Sequence, residues 1–417
     1  LIYCRRCAYP ANHPLGLTFD SVGICSGCRV HEEKDRLDWT ERATRLGRLF
    51  DAYRDRSGQR YDCIVPVSGA RDSFFIVDLV KRRFGMTPLL VSYNQHYNTR
   101  LGIRNLARLR TALDCDFLQQ VVQPQTVKRV MRQTLARLGS FHWYALAGQT
   151  VYPVQIAVRM KIPLIVWGAH QGCDQVGMFS HLDEVEMTRK YRCEHDLMGC
   201  EAEDLVGGPE GLDENDLRPY VYPHDRELER VGVRGIYLSN YVRWDSKAQH
   251  ETMLEKYGYE TAPQQRSFDT YNDVDSLHYS GVHDWIKYAK WGYGKASDHA
   301  AREVRLRRMT RDEAVALAAR YAAVEPADLP QFLDFVGLTR DAFHAAIDRF
   351  RDPAVWWYDA DRGVWARKDG ASPQAVSHPD AELGVVSDCT FKVTPARAPE
   401  PPNGGATLLH PGWVHET

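Results

Sequence analysis

A doubly wound α/β fold with a parallel sheet is the architecture this sequence predicts, and three observations predict it. From Tyr61 onward, short apolar runs alternate with longer amphipathic ones. The first of these runs, Tyr61–Ser73 (YDCIVPVSGARDS), breaks into a Gly-containing turn and then opens a helix. Lastly, the apolar runs are nearly continuous rather than alternating, as in strands covered on both faces. Ile64–Val67, Leu89–Tyr93, Phe117–Val122 and Leu164–Trp167 read as buried strands. Between them Asp72–Phe84, Thr99–Leu113, Thr126–Leu138 and Gly148–Met160 read as helices. Ligands of such sheets lie beyond the carboxyl ends of the strands, where Ser68, Tyr93 and Gly168 fall.

The turn after the first strand carries the clearest chemistry. A strand that runs through Gly into a helix start offers backbone N–H groups and the positive helix end to an anion. Ser68 and Ser73 add hydroxyls, and Asp72 adds a carboxylate suited to Mg²⁺ beside a pyrophosphate. The segment lacks the GxxxxGK[ST] of the Walker loop. It resembles the pyrophosphate loop of ATP pyrophosphatases, which split ATP into AMP and pyrophosphate. Ser92-Tyr93-Asn94 after the second strand suits the adenine or ribose, and Gly168 after the fourth permits close approach of a ligand.

The remaining organisation divides the 417 residues into four parts. Residues 1–32 hold Cys4, Cys7, Cys25 and Cys28 in CRRC…CSGC, a C-x₂-C pair repeated at zinc-ribbon spacing. Zinc in such a module substitutes for a core too small to build. Residues 33–240 form the ATP-binding domain, opened by a charged helical connector to about 56. Residues 241–367 form a helical substrate region, with a capping box at Thr310–Glu313 and a further helix near Thr339–Phe350. Residues 368–417 are a Pro-, Gly- and Ala-rich tail. The net charge of −2 gives no broad basic field for nucleic acid. No apolar run is long enough to span a membrane, and the first residues lack the apolar core of a secretory signal. The other six of the ten cysteines are scattered, as reduced thiols of a cytoplasmic protein would be.

Two charged stretches are candidates for the acceptor. Residues 179–205 mix eight carboxylates with His and basic groups, including Arg189 and Lys190, and suit either a solvated ion-paired helix or a metal- and substrate-binding segment. Residues 277–300 interleave Lys287, Lys290, Tyr293, Asp298 and His299 with aromatics, which suits an anionic, ring-containing ligand or an amphipathic surface helix.

Together CRRC…GICSGC, YDCIVPVSGARDS, EHDLMGCEAEDL, YLSNYVRWDSK, GVHDWIKYAKWGYGKASDHA and RMTRDEA resemble the N-acetyl sugar amidotransferases of surface-polysaccharide biosynthesis, over about residues 1–325. The resemblance implies an adenine nucleotide α-hydrolase-type sheet with an N-terminal zinc ribbon. It implies an enzyme of lipopolysaccharide or O-antigen assembly that adenylates the acetamido oxygen of a nucleotide-linked sugar. Ammonia then displaces AMP to give an acetamidino sugar. ATP, Mg²⁺ and structural Zn²⁺ are the implied cofactors, and a separate glutaminase with a cyclase-like partner the implied ammonia source; a homo-oligomer is a further expected assembly. Carried onto this chain, Ser68, Gly69, Ala70, Asp72 and Ser73 grip the pyrophosphate, with Arg71 neutralising charge and Asp72 binding Mg²⁺. His170, Arg189, Lys190, Lys287, Lys290, Tyr293, Asp298 and His299 hold the sugar nucleotide, and His170 and His299 are the candidate bases. Ala70 stands where the family has glycine, and the tail is extra. Two other readings keep the same loop: sulfur transfer by adenylation, prompted by Cys173, and a degenerate nucleotide-binding partner subunit, prompted by Ala70.

Overall fold

Apolar runs of four to six residues dominate the centre of the chain because they must be covered on both faces. In the computed structural model, which describes residues 2–58, 60–69 and 72–368, five such runs form one parallel sheet of order β3-β2-β1-β4-β5. The strands are β1 (Cys63–Pro66), β2 (Pro88–Tyr93), β3 (Phe117–Gln120), β4 (Leu164–Trp167) and β5 (Arg234–Tyr237). Ile64 of β1 pairs with Leu89 on one side and Ile165 on the other. The connections run outward from β1 to β2 and β3, then return across the sheet to β4. The switch point therefore falls between β1 and β4.

Three of the four expected strands sit deep in the sheet. The fourth, β3, is an edge strand, half-buried and only four residues long, because its Gln119 and Gln120 have no neighbour beyond them. Sequence periodicity missed β5, a four-residue RGIY run that follows the left-handed helix stop at Gly232.

Helices cover both faces. The connector forms α1 (Ser26–Glu33) and α2 (Trp39–Tyr53), the second capped by Asp38, which accepts from the N–H groups of Thr40 and Glu41. Beyond β1, α3 (Ser73–Val77) continues as a π-helical stretch to Arg83, and α4 (Arg100–Ala112) follows β2. Leu46 and Phe50 of α2 share a core with Phe74, Val77, Leu106 and Leu109. The opposite face is packed by the apolar helix α6 (Trp143–Met160), which follows α5 (Pro124–Leu138). Gly148 lets α6 lie directly on the Tyr93 ring; a Cβ there would stand 2.3 Å from a ring carbon.

The 179–205 stretch is neither a long helix nor a metal cluster. It breaks into short turns at Arg189–Tyr191, Arg192–Asp196 and Ala202–Leu205. Arg192 is fully buried there and donates to Glu201 (2.6 Å), Thr150 (2.9 Å) and the Tyr220 carbonyl (3.2 Å), so this segment is knitted into α6. The capping box at Thr310 starts the Arg311–Ala322 helix as expected. A hairpin of β6 (Trp356–Asp359) and β7 (Val364–Arg367) ends the described chain. The tail after Lys368, like Ala70 and Arg71, lies outside the described residues. Among the described residues no helix is long and apolar enough to cross a membrane.

Candidate functional site

Two cavities meet at the carboxyl ends of the strands. The larger, about 300 Å³, lies at the switch point and is floored by Val67 and Ser68 of the pyrophosphate turn. The turn itself is tight. Gly69 has φ +86°, and a Cβ on it would stand 2.6 Å from the backbone of Leu106 on α4. The Ser73 hydroxyl accepts from the N–H groups of Ser68 (3.2 Å) and Gly69 (3.4 Å), which folds the turn over the start of α3. Asp72, Ser73, Ser92 and Gly168 line the same cavity, as the strand-end reading expected.

The loop after residue 270 closes this cavity from above. Thr99 donates its N–H to the Asp275 carbonyl and its hydroxyl to the Val274 carbonyl (2.6 Å), and Leu277 N–H bonds the Tyr97 carbonyl. Gly102 makes room for this seam, since its Cβ would meet Asp275 at 2.7 Å. Asp273 is held there at φ +58°, a conformation Asp adopts sparingly.

The second cavity, about 150 Å³, opens from the first. Ala169, Gln171, Asp273 and Tyr279 line both. Its walls combine the Trp244 ring with a dense set of charges from three parts of the chain. Tyr9 comes from the cysteine module and donates its hydroxyl to Asp298 Oδ1 (2.9 Å). The other Asp298 oxygen pairs with Lys287, whose ammonium sits 4.6 Å over the Tyr293 ring. Asp284 anchors the start of the Lys295–Arg305 helix, accepting from the Lys295 N–H (2.5 Å) and Arg266 Nε (2.7 Å). Burial pushes the pKa of Lys295 down, with nearby carboxylates opposing the shift.

The cysteine module forms one side of this chamber. Cys4, Cys7, Cys25 and Cys28 are buried, and their Sγ atoms lie within 4.8 Å of one another. Backbone N–H groups of Arg6 and Cys25 both donate to Cys4 Sγ (3.3 Å). Four converging thiols with inward N–H donors fit a tetrahedral zinc ion with no open position. Arg305 joins metal site to cavity: its Nη2 lies 3.8 Å from Cys7 Sγ and 3.7 Å from Cys25 Sγ, while Nη1 donates to the Gln175 carbonyl (2.6 Å). Its positive charge offsets part of the excess negative charge of a four-thiolate site.

The structure separates the sequence candidates. Asp72, Gly168, Lys287, Asp298 and His299 line a cavity, as do Ser68, Ser73, Ser92 and, at the rim, Tyr93. The others do not. His170 turns inward from the end of β4 to lie between the Tyr191 and Tyr237 rings (centroids 4.4 and 4.6 Å), and burial pushes its pKa down to about 4. Asn94 accepts from the His96 N–H (2.7 Å) and the Asn98 amide (2.9 Å), so it shapes the turn after β2 instead of facing a ligand. Tyr93 itself spends its hydroxyl on Tyr220 (2.9 Å). Arg189 and Lys190 are exposed on the surface beside Asp225 and Glu194. Lys290 donates to the Leu138 and Gly139 carbonyls (3.2 and 3.3 Å) at the end of α5, and burial pushes its pKa down to about 8. Tyr293 is buried beneath Lys287 and against the cysteine module, so it supports a cavity residue without lining the cavity.

Sequence reasoning overlooked Asp273, Tyr279 and Gln171 at the junction, and the Arg266–Asp273 stretch behind it. No periodicity marks these loop residues. The Ser/Asp/Asn-rich run RSFDTYND was the only available signal. Cys173, the residue behind the sulfur-transfer reading, is buried with its thiol pushed up to about 12 by burial, the reverse of an activated thiolate.

Most of the residues walling the second cavity fall between Trp244 and Leu306. Residues 238–368 match the sequence model of the family described as the C-terminal domain of WbpG-like LPS biosynthesis proteins. The matched stretch carries Lys287, Asp298 and His299, whereas the Ser68–Ser73 turn lies upstream of it. Among solved structures, the NMN synthetase from Francisella tularensis is similar over 49% of this chain and 93% of its own, at 13% identity and a TM-score of 0.26. No curated protein sequence matches the chain.

Buried neutral histidines, among them His31 and His283 on the wall of the second cavity, give the protein a predictable acid limit. Burial is the largest cause in each case: it holds His283 and His31 at about 3 and His250 at about 4, against an ordinary 6.5. Between pH 6.5 and 4 the unfolded chain therefore binds protons that the folded chain refuses. Stability falls as pH falls, by up to about 1.4 kcal/mol per histidine per pH unit. The urea midpoint is expected to drop clearly between pH 7 and 5. An unchanged midpoint would contradict neutral burial of these rings.

Proposed function

We propose that this protein is an ATP-dependent amidotransferase of LPS biosynthesis that converts the acetamido group of a nucleotide-linked sugar into an acetamidino group. The observation that carries the reading is the junction of two cavities at Ala169, Gln171, Asp273 and Tyr279. The larger lies on the pyrophosphate turn and suits ATP. The second is walled by the WbpG-like domain and suits a polar ring, with Trp244 and paired charges around it.

In this reading the Ser68–Ser73 turn holds the β- and γ-phosphates, and Asp72 would hold Mg²⁺, which neutralises phosphate charge when bound. The α-phosphate then faces the junction. An amide carbonyl is a poor electrophile, so its oxygen first attacks the α-phosphorus and pyrophosphate leaves. The amide loses its N–H proton, giving a neutral O-adenylated imidate. Ammonia attacks the imidate carbon, a C–N bond forms, the C–O bond to AMP breaks, and the departing proton passes to a base. His299, on the cavity wall, is that base. Ammonium dominates at neutral pH, so ammonia is delivered by a separate glutaminase and cyclase-like partner.

The test is incubation with ATP, Mg²⁺, ammonium and a panel of acetamido-sugar nucleotides, read by mass spectrometry. AMP, pyrophosphate and a sugar product lighter by the difference between O and NH are expected. Lys287→Ala is expected to raise the acceptor KM at least tenfold, while exposed Lys190→Ala leaves it unchanged. ADP formation, or a product heavier by replacement of O with S, would overturn the assignment.

A further inference from the structure

Among the described residues, His299 is the one cavity-lining imidazole with one ring nitrogen close to two side chains at once. Its Nδ1 lies 2.6 Å from Ser267 Oγ and 3.2 Å from Asp269 Oδ2. All three residues are buried, with Asp269 at 0% exposure and Ser267 at 1%.

The surroundings of Asp269 decide where the imidazole proton resides. The other groups bonded to its carboxylate are donors. Oδ1 accepts the N–H groups of Tyr271 (3.2 Å) and Asn272 (3.0 Å), and the Gln264 amide (3.3 Å). Oδ2 accepts from the Asn272 side chain and from Arg302 Nη2 (3.3 Å). A bare nitrogen lone pair aimed at this acceptor would be repelled; an N–H is attracted. Ser267 Oγ accepts the Asp269 N–H at 3.5 Å, and its second lone pair can accept an Nδ1–H of His299 alongside the carboxylate.

We infer that Asp269, assisted by Ser267, is a positioning residue that holds His299 as its Nδ1–H tautomer, leaving the Nε2 lone pair as the ring's acceptor toward the second cavity. This rests on the reading of that cavity as the acceptor site, and adds the group that orients its base. Burial first, then Arg302 and Lys295 on the same helix, keep the imidazole pKa well below its ordinary range, while Asp273 and Asp298 oppose them. His299 is thus neutral at pH 7, with its Nε2 lone pair available as a hydrogen-bond acceptor. A serine-nucleophile triad is ruled out by the same geometry. In such a triad Ser and Asp engage opposite ring nitrogens. Here both crowd Nδ1.

The test uses the full chain labelled with ¹⁵N-histidine, the His299 signals being identified by their loss in His299→Gln. Long-range ¹⁵N–¹H spectra at pH 7 without substrate are expected to show a protonated Nδ1 and a lone-pair Nε2. Asp269→Asn places an amide N–H₂ against Nδ1 and is expected to reverse the tautomer. In the product assay it is expected to lower kcat about 100-fold with KM within threefold. Ser267→Ala, which leaves the carboxylate in place, is expected to keep the wild-type tautomer. An Nε2–H tautomer in the wild-type chain overturns the inference, and so does an unchanged tautomer in a folded Asp269→Asn variant. The spectra decide it whether or not an acetamido sugar is the substrate, and the wild-type spectrum decides it if Asp269→Asn fails to fold.

Discussion

Gly69→Val is expected to abolish nucleotide binding while also costing several kcal/mol of stability. Two independent penalties act at this position. The backbone sits at φ +86°, which costs a β-branched residue about 1–3 kcal/mol. The new Cβ would also lie 2.6 Å from Cα and N of Leu106, and main chain of a packed helix cannot swing aside as a side-chain tip can. Relief requires moving the turn away from α4, which breaks the Ser68 and Gly69 N–H bonds to Ser73 and spreads the groups facing the cavity. A lowered melting temperature and loss of the further rise given by ATP with Mg²⁺ are the expected readouts. A variant that keeps the ATP-induced rise would show that this turn is not the phosphate cradle.

Removing metal from the four-cysteine module is expected to damage both stability and the acceptor cavity. The module's small core, built around Tyr9, Leu17 and the four cysteines, is completed by Val176, Tyr293 and Ala301 from the rest of the chain. A structural zinc ion in such a setting supplies binding free energy on the order of 10 kcal/mol, much of it spent on folding the module. Its loss, by strong chelation or by Cys25→Ser, leaves Arg305 without its thiolate partners and loosens Tyr9 from Asp298. Metal analysis should give one zinc per chain. The depleted chain should melt lower, be cut by protease near residues 1–30, and show a raised acceptor KM with less change in the KM for ATP, whose cavity the module does not line. Equal loss at both substrates would mean that the module stabilises the chain without shaping the acceptor site.

The two expectations differ in how they could be reached from the sequence. The Gly69 turn and the cysteine pairs are local patterns, in which spacing alone brings the functional atoms together. Their chemistry was legible for that reason, as were β1, β2 and β4, whose apolar runs carry their burial within a few residues. Lys287, Asp298 and His299 were legible as a charged, aromatic-rich stretch, yet Lys290 and Tyr293 in the same stretch face the α5 terminus and the cysteine module. Helical spacing says which residues share a face; it does not say what that face meets.

By itself, then, the sequence determined a parallel α/β sheet, a tight strand–turn–helix at Gly69, and four thiols brought together by two C-x₂-C pairs, because each rests on contacts between residues close in the chain. Only the tertiary structure decided that Tyr9, Asp273 and His299 wall the same chamber, that His170, Asn94, Arg189, Lys190 and Lys290 lie outside it, and that Asp269 stands behind His299. Those relations depend on backbone seams and helix packing between segments tens to hundreds of residues apart, such as the 97–99 strip bonded to residues 274–277 and Tyr9 bonded to Asp298. No local pattern encodes which of many buried faces such distant segments will share.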